Sequence, residues 1–273
     1  MKAVILAAGF GTRMLPITKS IPKEMLPVGT KPTIQYTVEW LVQASIDDII
    51  IVTANGKNAI ENHFDKHPEL EQILMSKGKD DVLQQINDPK NMANLCFVKQ
   101  KVMSGVADAL DTARPWVRDA EYFILVFADQ IYHPNTFTKA ISRYKGNLSN
   151  VVVTHQVPIE EVYKYGVVDF DQDGKILNLV EKPKVEEAPS NQIISGVFVF
   201  KQSIFDHIDK TQIHPTFGEK FITDSIKIGL DNEDYMVQQI DPDRYIDVWS
   251  PEKRHAANVR YFDNGGKLFT GED

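Results

Sequence analysis

The sequence is nearly without cysteine: Cys96 stands alone among 273 residues, so no intrachain disulfide can form. That absence fits a reducing compartment. A chain of this length buries a full core without covalent staples. Long hydrophobic runs are also missing. Stretches such as Phe123–Ala128 fall far short of the roughly 18 apolar residues that span a bilayer. Near the N-terminus Ala3–Ala8 is apolar, but Gly9, Gly11 and Arg13 interrupt it before it reaches the roughly 7–15 residues of a secretory core. It reads as a buried strand, and the expected location is the cytoplasm. Positive charge is not in excess: the formal net charge is −8. Neither a nucleic acid nor an anionic membrane is therefore an expected partner. A local phosphate pocket stays open. No Gly/Ser linker and no internal repeat divides the chain.

What is present is ordinary globular composition, with 42% hydrophobic and 25% charged residues. The first half alternates strand and helix signals. Strands are expected at Ala3–Leu6, Asp48–Thr53, Leu95–Val98 and Tyr122–Phe127. Helices are expected around Ile34–Val42, from Lys57 to Phe64, and over Gly105–Ala113. This alternation predicts an α/β fold: a Rossmann-like, mainly parallel central sheet with helices on both faces. Ligands then sit at the carboxyl ends of the strands. The second half is richer in strands, at Val151–Thr154, Val167–Phe170, Ile176–Val180 and Ile193–Phe200. Asp171-Gln172-Asp173-Gly174 signals a hairpin turn. Helices are expected at Phe221–Leu230 and Pro251–Phe262. One domain over 1–273 is expected, with an α/β part to about 150 and a β-rich part with a closing helix from about 151. Lys66–Lys90 is polar and reads as an irregular, mobile insertion.

Three segments carry chemistry. In Leu6-Ala7-Ala8-Gly9-Phe10-Gly11-Thr12-Arg13-Met14 a strand runs into small residues and two glycines. Backbone N–H groups there can approach an anion, and Arg13 adds donors suited to phosphate oxygens. Met14 stands where a dinucleotide fingerprint needs its third glycine, and no Gly-Lys-Ser/Thr ends the loop as in a Walker sequence. Lys23, in Pro22-Lys23-Glu24-Met25-Leu26-Pro27, supplies a second cation near the same strand end. Asp129 ends the strand Tyr122–Phe127, where a carboxylate faces the ligand crevice and suits Mg²⁺. Asp247 is a second such acid before a helix. The third segment pairs Tyr165-Gly166 with Glu181-Lys182-Pro183. A Glu–Lys pair at a strand end can join a hydroxyl acceptor to a phosphate-binding cation; alone it reads rather as a surface ion pair.

Together these segments resemble the sugar-1-phosphate nucleotidyltransferase family, in order and spacing, over nearly the whole chain. Lys23–Pro27, Ile60–Asp65 and Ala188–Asn191 look most like the family's uridylyl-transferring branch. The thymidylyl-transferring branch usually carries Gln where Glu24 stands. The resemblance implies the nucleotide-diphospho-sugar transferase fold and a reaction of UTP with α-D-glucose 1-phosphate, giving UDP-glucose and pyrophosphate. It implies that Arg13, Lys23 and Lys182 are catalytic, with Lys182 also orienting the sugar phosphate, and that Asp129 and Asp247 hold Mg²⁺. It places Leu6, Ala7, Ala8, Gly9, Gly11, Thr12, Glu24, Gln100 and Gly105 at the nucleotide. Gly166, Glu181, Lys182 and Gly196 fall at the sugar, and the chain is expected to form a homo-oligomer, a dimer or tetramer.

Two departures stand out. Ala107 and Asp108 occupy positions where the uridylyl branch typically has Gly and His, and Val248-Trp249-Ser250 replaces small residues after Asp247. A dTTP-using enzyme and a silent nucleotide-sugar-binding regulator are the alternatives. Other patterns read as structure. Asp169-x-Asp171-x-Asp173-Gly174 begins like a calcium loop but has Val180 where the bidentate Glu belongs. His63 and His67 lack a third ligand at convincing spacing. Cys96 reads as a buried structural thiol and Trp40 as packing.

Overall fold

The computed structural model describes residues 1–270. Strand β1 (Lys2–Leu6) leads through the glycine loop to β2 (Pro27–Val28), β3 (Lys31–Pro32) and helix α1 (Thr33–Gln43). Then follow β4 (Asp48–Thr53), α2 (Asn58–Phe64), α3 (Pro68–Ser76), α4 (Asp80–Asn91), β5 (Asn94–Lys99), α5 (Val106–Val117) and β6 (Tyr122–Phe127). The chain continues with β7 (Gln130–Tyr132), α6 (Asn135–Asn147), β8 (Asn150–Gln156), β9 (Gly166–Phe170), β10 (Ile176–Glu181) and β11 (Gln192–Lys201). It closes with α7 (Ile204–Lys210), α8 (Ile222–Gly229), β12 (Tyr235–Gln239), β13 (Tyr245–Asp247) and α9 (Pro251–Asp263).

Nine of these strands form one mixed sheet in the order β10-β9-β11-β6-β1-β4-β5, with β8 joined to β11 and β12 to β8. β6, β1, β4 and β5 are parallel, so their carboxyl ends lie side by side. β9, β10 and β11 pair antiparallel. The sheet therefore runs from the α/β first half into the β-rich second half.

Alternation along the strands feeds two cores. Ile5, Ile51, Val126 and Val199 point to the face covered by α1, α2, α6 and α9. Val4, Val52, Leu125 and Phe198 point to the face covered by α5, α7 and α8. These central strands read as unbroken apolar runs because both faces are buried. The Asp171–Gly174 turn closes the β9–β10 hairpin, with Asp171 Oδ1 accepting from the backbone N–H of Asp173 and Lys175.

Residues 66–90 depart from expectation: most of them form α3 and α4 rather than irregular chain. Both helices are largely exposed, and Lys90 bonds Glu71 across them at 2.9 Å. Each offers only a thin apolar stripe, such as Leu83 and Ile86, which the polar composition hides. Among the described residues no helix is long and apolar enough to cross a membrane.

Candidate active site at the carboxyl edge of the sheet

The register Leu6↔Phe127 sets the glycine loop beside Ala128 and Asp129. Ala7 N–H bonds Val52 O, and Ala128 N–H bonds Leu6 O, so sheet pairing continues just past the strand ends. Ala7 and Ala8 are buried, while Gly9 carries no side chain to cover the loop. Gly11 takes a left-handed conformation that starts a short turn, Thr12–Met14. Thr18 Oγ1 donates to Gly11 O at 2.8 Å and holds that turn.

Lys23 arrives from the next turn. Its Nζ lies 2.6 Å from Asp129 Oδ2 and within 3.7 Å of where a Gly9 Cβ would stand. Burial opposes charge on both partners, but their mutual attraction outweighs it: Lys23 is held above the usual lysine range and Asp129 below the usual carboxylate range. Asp247 enters from β13, whose pairing with β7 sets it opposite Gln130, one residue after Asp129. Its Oδ2 accepts from Lys253 Nζ at 2.8 Å and its Oδ1 from Trp249 N–H at 3.1 Å. Burial pushes the Asp247 carboxyl up, against the pull of Lys253.

Glu24 lies outside the crevice, contrary to its expected place among nucleotide contacts. It is fully buried, and Lys57 Nζ donates to both its oxygens at 2.9 Å and to Ala7 O at 2.6 Å. Burial pushes Glu24 up and Lys57 down. The pair is a pillar under the loop. Lys57 gave no sequence signal, because its partners lie in distant segments.

At the end of β5, Gln100 N–H bonds Thr53 O, which seats its side chain beside the neighbouring strand ends. Its Nε2 donates to Asp108 Oδ2 at 3.0 Å and lies 3.4 Å from Gly105 O. Gly105 has φ +108°, and a Cβ there would stand 2.5 Å from Lys220 O, so only glycine fits.

The second half contributes a cavity of about 140 Å³ whose lining includes Phe127, Gln130, Tyr165, Gly166, Glu181 and Thr223. Gly166 pairs with Glu181 across β9 and β10. Thr223 Oγ1 donates to Glu181 Oε2 at 2.9 Å, yet burial still raises the Glu181 carboxyl above its ordinary range. At Gly196, φ +80° and the approach of Gln130 Oε1, 2.5 Å from a would-be Cβ, leave no room for a side chain. Gln130 thus borders both Asp129 and the cavity, and joins the two halves. The sequence reading missed it, since a buried Gln on a short strand carries no pattern. Lys182 adopts φ +47°, strained for a non-glycine residue, and its Nζ lies 4.8 Å from the rings of both Phe217 and Phe221. Arg13 stacks on Trp249 with its guanidinium carbon 4.1 Å from the ring centroid. Lys253 Nζ lies 4.9 Å from the same ring.

The remaining candidates have structural places. His63 Nε2 pairs with Gln35 Oε1, and His67 Nδ1 accepts from Leu70 N–H to cap α3. Cys96 is partly buried, which raises its thiol pKa. Trp40 packs between Tyr36 and Phe269.

A parallel-strand crevice with a glycine loop, paired cations and strand-end carboxylates defines a phosphate-handling α/β protein. The chain belongs to the nucleotidyl transferase family, whose profile matches residues 2–263. A Methanocaldococcus jannaschii relative is 46% identical over 248 residues, covering 89% of this chain and 87% of its own. The UTP–glucose-1-phosphate uridylyltransferase of Bacillus subtilis is 42% identical over 232 residues, 83% of this chain and 79% of its own. Among solved structures, a UDP-glucose pyrophosphorylase complexed with UDP-glucose superposes with a TM-score of 0.86 at 32% identity, covering 96% of this chain and 98% of that one. UTP-bound UGPase from Acinetobacter baumannii gives 0.87 at 32% identity, covering 98% and 95%.

Proposed function

We propose that the chain is a UTP–glucose-1-phosphate uridylyltransferase, transferring the uridylyl group of UTP to α-D-glucose 1-phosphate. The observation that carries this is the junction at Gln130. It joins the Lys23–Asp129 pair over the glycine loop to the cavity that holds Glu181. The kinship with uridylyltransferases supports the choice of substrates.

A sugar phosphate oxygen attacks the α-phosphorus of UTP. The bond to the β-phosphate oxygen breaks, and pyrophosphate leaves opposite the incoming oxygen. The nucleophile is already anionic near neutral pH, so no general base is required. The protein positions the reactants and neutralises charge. Arg13 and Lys23 hold the triphosphate and the leaving pyrophosphate, against the backbone of Leu6–Gly9, Gly11 and Thr12. Gln100 and Gly105 face the uracil. Glu181 accepts sugar hydroxyls, Gly166 and Gly196 leave space for the hexose, and Lys182 meets the sugar phosphate. Residues to about 150 then serve the nucleotide and those from about 151 the sugar.

Asp129 and Asp247 fit Mg²⁺. They are hard oxygen donors set side by side by β7–β13 pairing, and each now answers the charge of a lysine. Two carboxylates suit a cation that keeps water and phosphate ligands. When bound, Mg²⁺ would neutralise charge on the reacting phosphates.

The test is phosphorus NMR of the enzyme with Mg²⁺, glucose 1-phosphate and each of UTP, dTTP, ATP, CTP and GTP. Pyrophosphate and the corresponding nucleoside-diphosphate glucose should appear in equal amounts, fastest with UTP, which gives UDP-glucose. A dTTP preference would move the chain to the thymidylyl-transferring branch. Silence with every nucleotide from folded protein would overturn the enzymatic reading.

A further inference from the structure

We propose that Asp108 sets which bases the crevice accepts, by fixing the Gln100 amide so that only its carbonyl oxygen is offered to the base. The proposal rests on the reading that Gln100 faces the nucleotide base. Gln100 is 4% exposed, so its amide is held by protein contacts. A carboxylate can only accept. The 3.0 Å contact to Asp108 Oδ2 therefore decides which end of the amide is nitrogen, an assignment that shape alone does not make. The other amide hydrogen points to Gly105 O. Oε1 is the polar group left. It accepts from the N3–H of a pyrimidine imide, as in uracil and thymine. Cytosine presents a lone pair at N3, which would face Oε1 unpaired. A site built to accept one hydrogen rejects a ring that lacks it.

The placement of Asp108 is itself fixed. It sits in the first turn of α5, where a negative charge meets the positive end of the helix. That turn is locked from below: Ala107 N–H bonds Lys220 O, and Lys220 N–H bonds Ser104 O. Asp108 acts through Gln100, so it is a positioning residue for specificity.

The experiment compares kcat/KM for UTP, dTTP and CTP, with Mg²⁺ and glucose 1-phosphate, in the wild type, Asp108→Asn and Asp108→Ala. The wild type should favour both imide nucleotides over CTP. Asn can donate as well as accept, so Gln100 is free to turn. The UTP:CTP ratio should fall roughly ten-fold or more. The UTP:dTTP ratio should stay unchanged, because both present the same edge; a merely structural loss would lower all three alike. Folded Asp108→Asn with a wild-type UTP:CTP ratio overturns the proposal. Should the Ala variant fail to fold, the same-sized Asn variant carries the test. A wild type that transfers nucleotides without imide preference overturns the placement of Gln100 at the base, and this proposal with it. A wild type that transfers nothing overturns the underlying enzymatic reading instead.

Discussion

Trp249 lies between two cations, Arg13 and Lys253, and its backbone N–H holds Asp247. It stands where the family resemblance leads one to expect a small residue after Asp247. In the fold it orders an exposed arginine that would otherwise lose rotamer freedom on binding phosphate. Trp249→Ala should cost about 1 kcal/mol of this contact, a roughly five-fold rise in KM for UTP. Trp249→Phe should recover most of that rise. Asp129→Ala should lower kcat roughly 10²–10³-fold, since charge on the transferring phosphate loses its stabilising centre. Lys182→Ala should act mainly on KM for glucose 1-phosphate. Glu181 adds a pH signature. Its proton affinity is raised by burial, so as pH falls it gains a proton, and loses its charge and part of its capacity to accept from hydroxyls, while still above the ordinary glutamate value of 4.5. KM for glucose 1-phosphate should therefore rise on that acid limb, and Glu181→Gln should flatten it. The sequence exposed Arg13, Lys23, Asp129 and Glu181 because each ends a recognisable strand or loop. It hid Lys57, Gln130 and Lys253, whose partners are set only by folding.

Among the elements, α9 closes the site with Lys253, which pairs with Asp247, and with the buried Arg254. Arg254 is 8% exposed, and burial lowers its pKa to about 10, so it stays charged at neutral pH. Its guanidinium donates to Leu26 O at 2.7 Å, Thr33 Oγ1 at 3.0 Å, Val248 O at 3.0 Å and Lys23 O at 3.3 Å. One helix thereby fixes the backbone that carries Lys23 and the segment that follows Asp247. Arg254→Met should cost about 3 kcal/mol, because buried carbonyls lose their donors. Thermal unfolding measures that loss, and kcat should fall in the same variant. The closing helix itself was legible from Ser250-Pro251, a cap followed by proline at the first turn; Ser250 Oγ accepts from Lys253 N–H. Helix α6 was not legible. Phe137, Ala140, Ile141 and Tyr144 form its buried stripe, but Pro134, Gly146 and polar residues between them blur the signal.

Across the whole molecule, the alternation of strands and helices was readable because the central strands are buried on both faces. Strand order was not. β11 joins the antiparallel β9–β10 hairpin to the parallel strands beside β6, and no local pattern announces such a partner. The net charge of −8 also says little about the crevice, where Lys23 pairs with Asp129, Lys253 pairs with Asp247 and Arg13 stacks on Trp249. A ligand that bridges both halves should stabilise the entire fold. UDP-glucose at a hundred times its Kd should add about 2.7 kcal/mol, a rise of roughly 5–10 °C in Tm. The most direct measurement is a crystal structure of this chain with UDP-glucose and Mg²⁺. The account predicts uracil against Gln100 and Gly105, the diphosphate beside Arg13 and Lys23, and glucose against Glu181 and Thr223. UDP-glucose bound elsewhere, such as in the cavity of about 520 Å³ lined by Lys2, Asp48, Cys96 and Trp116, would contradict it.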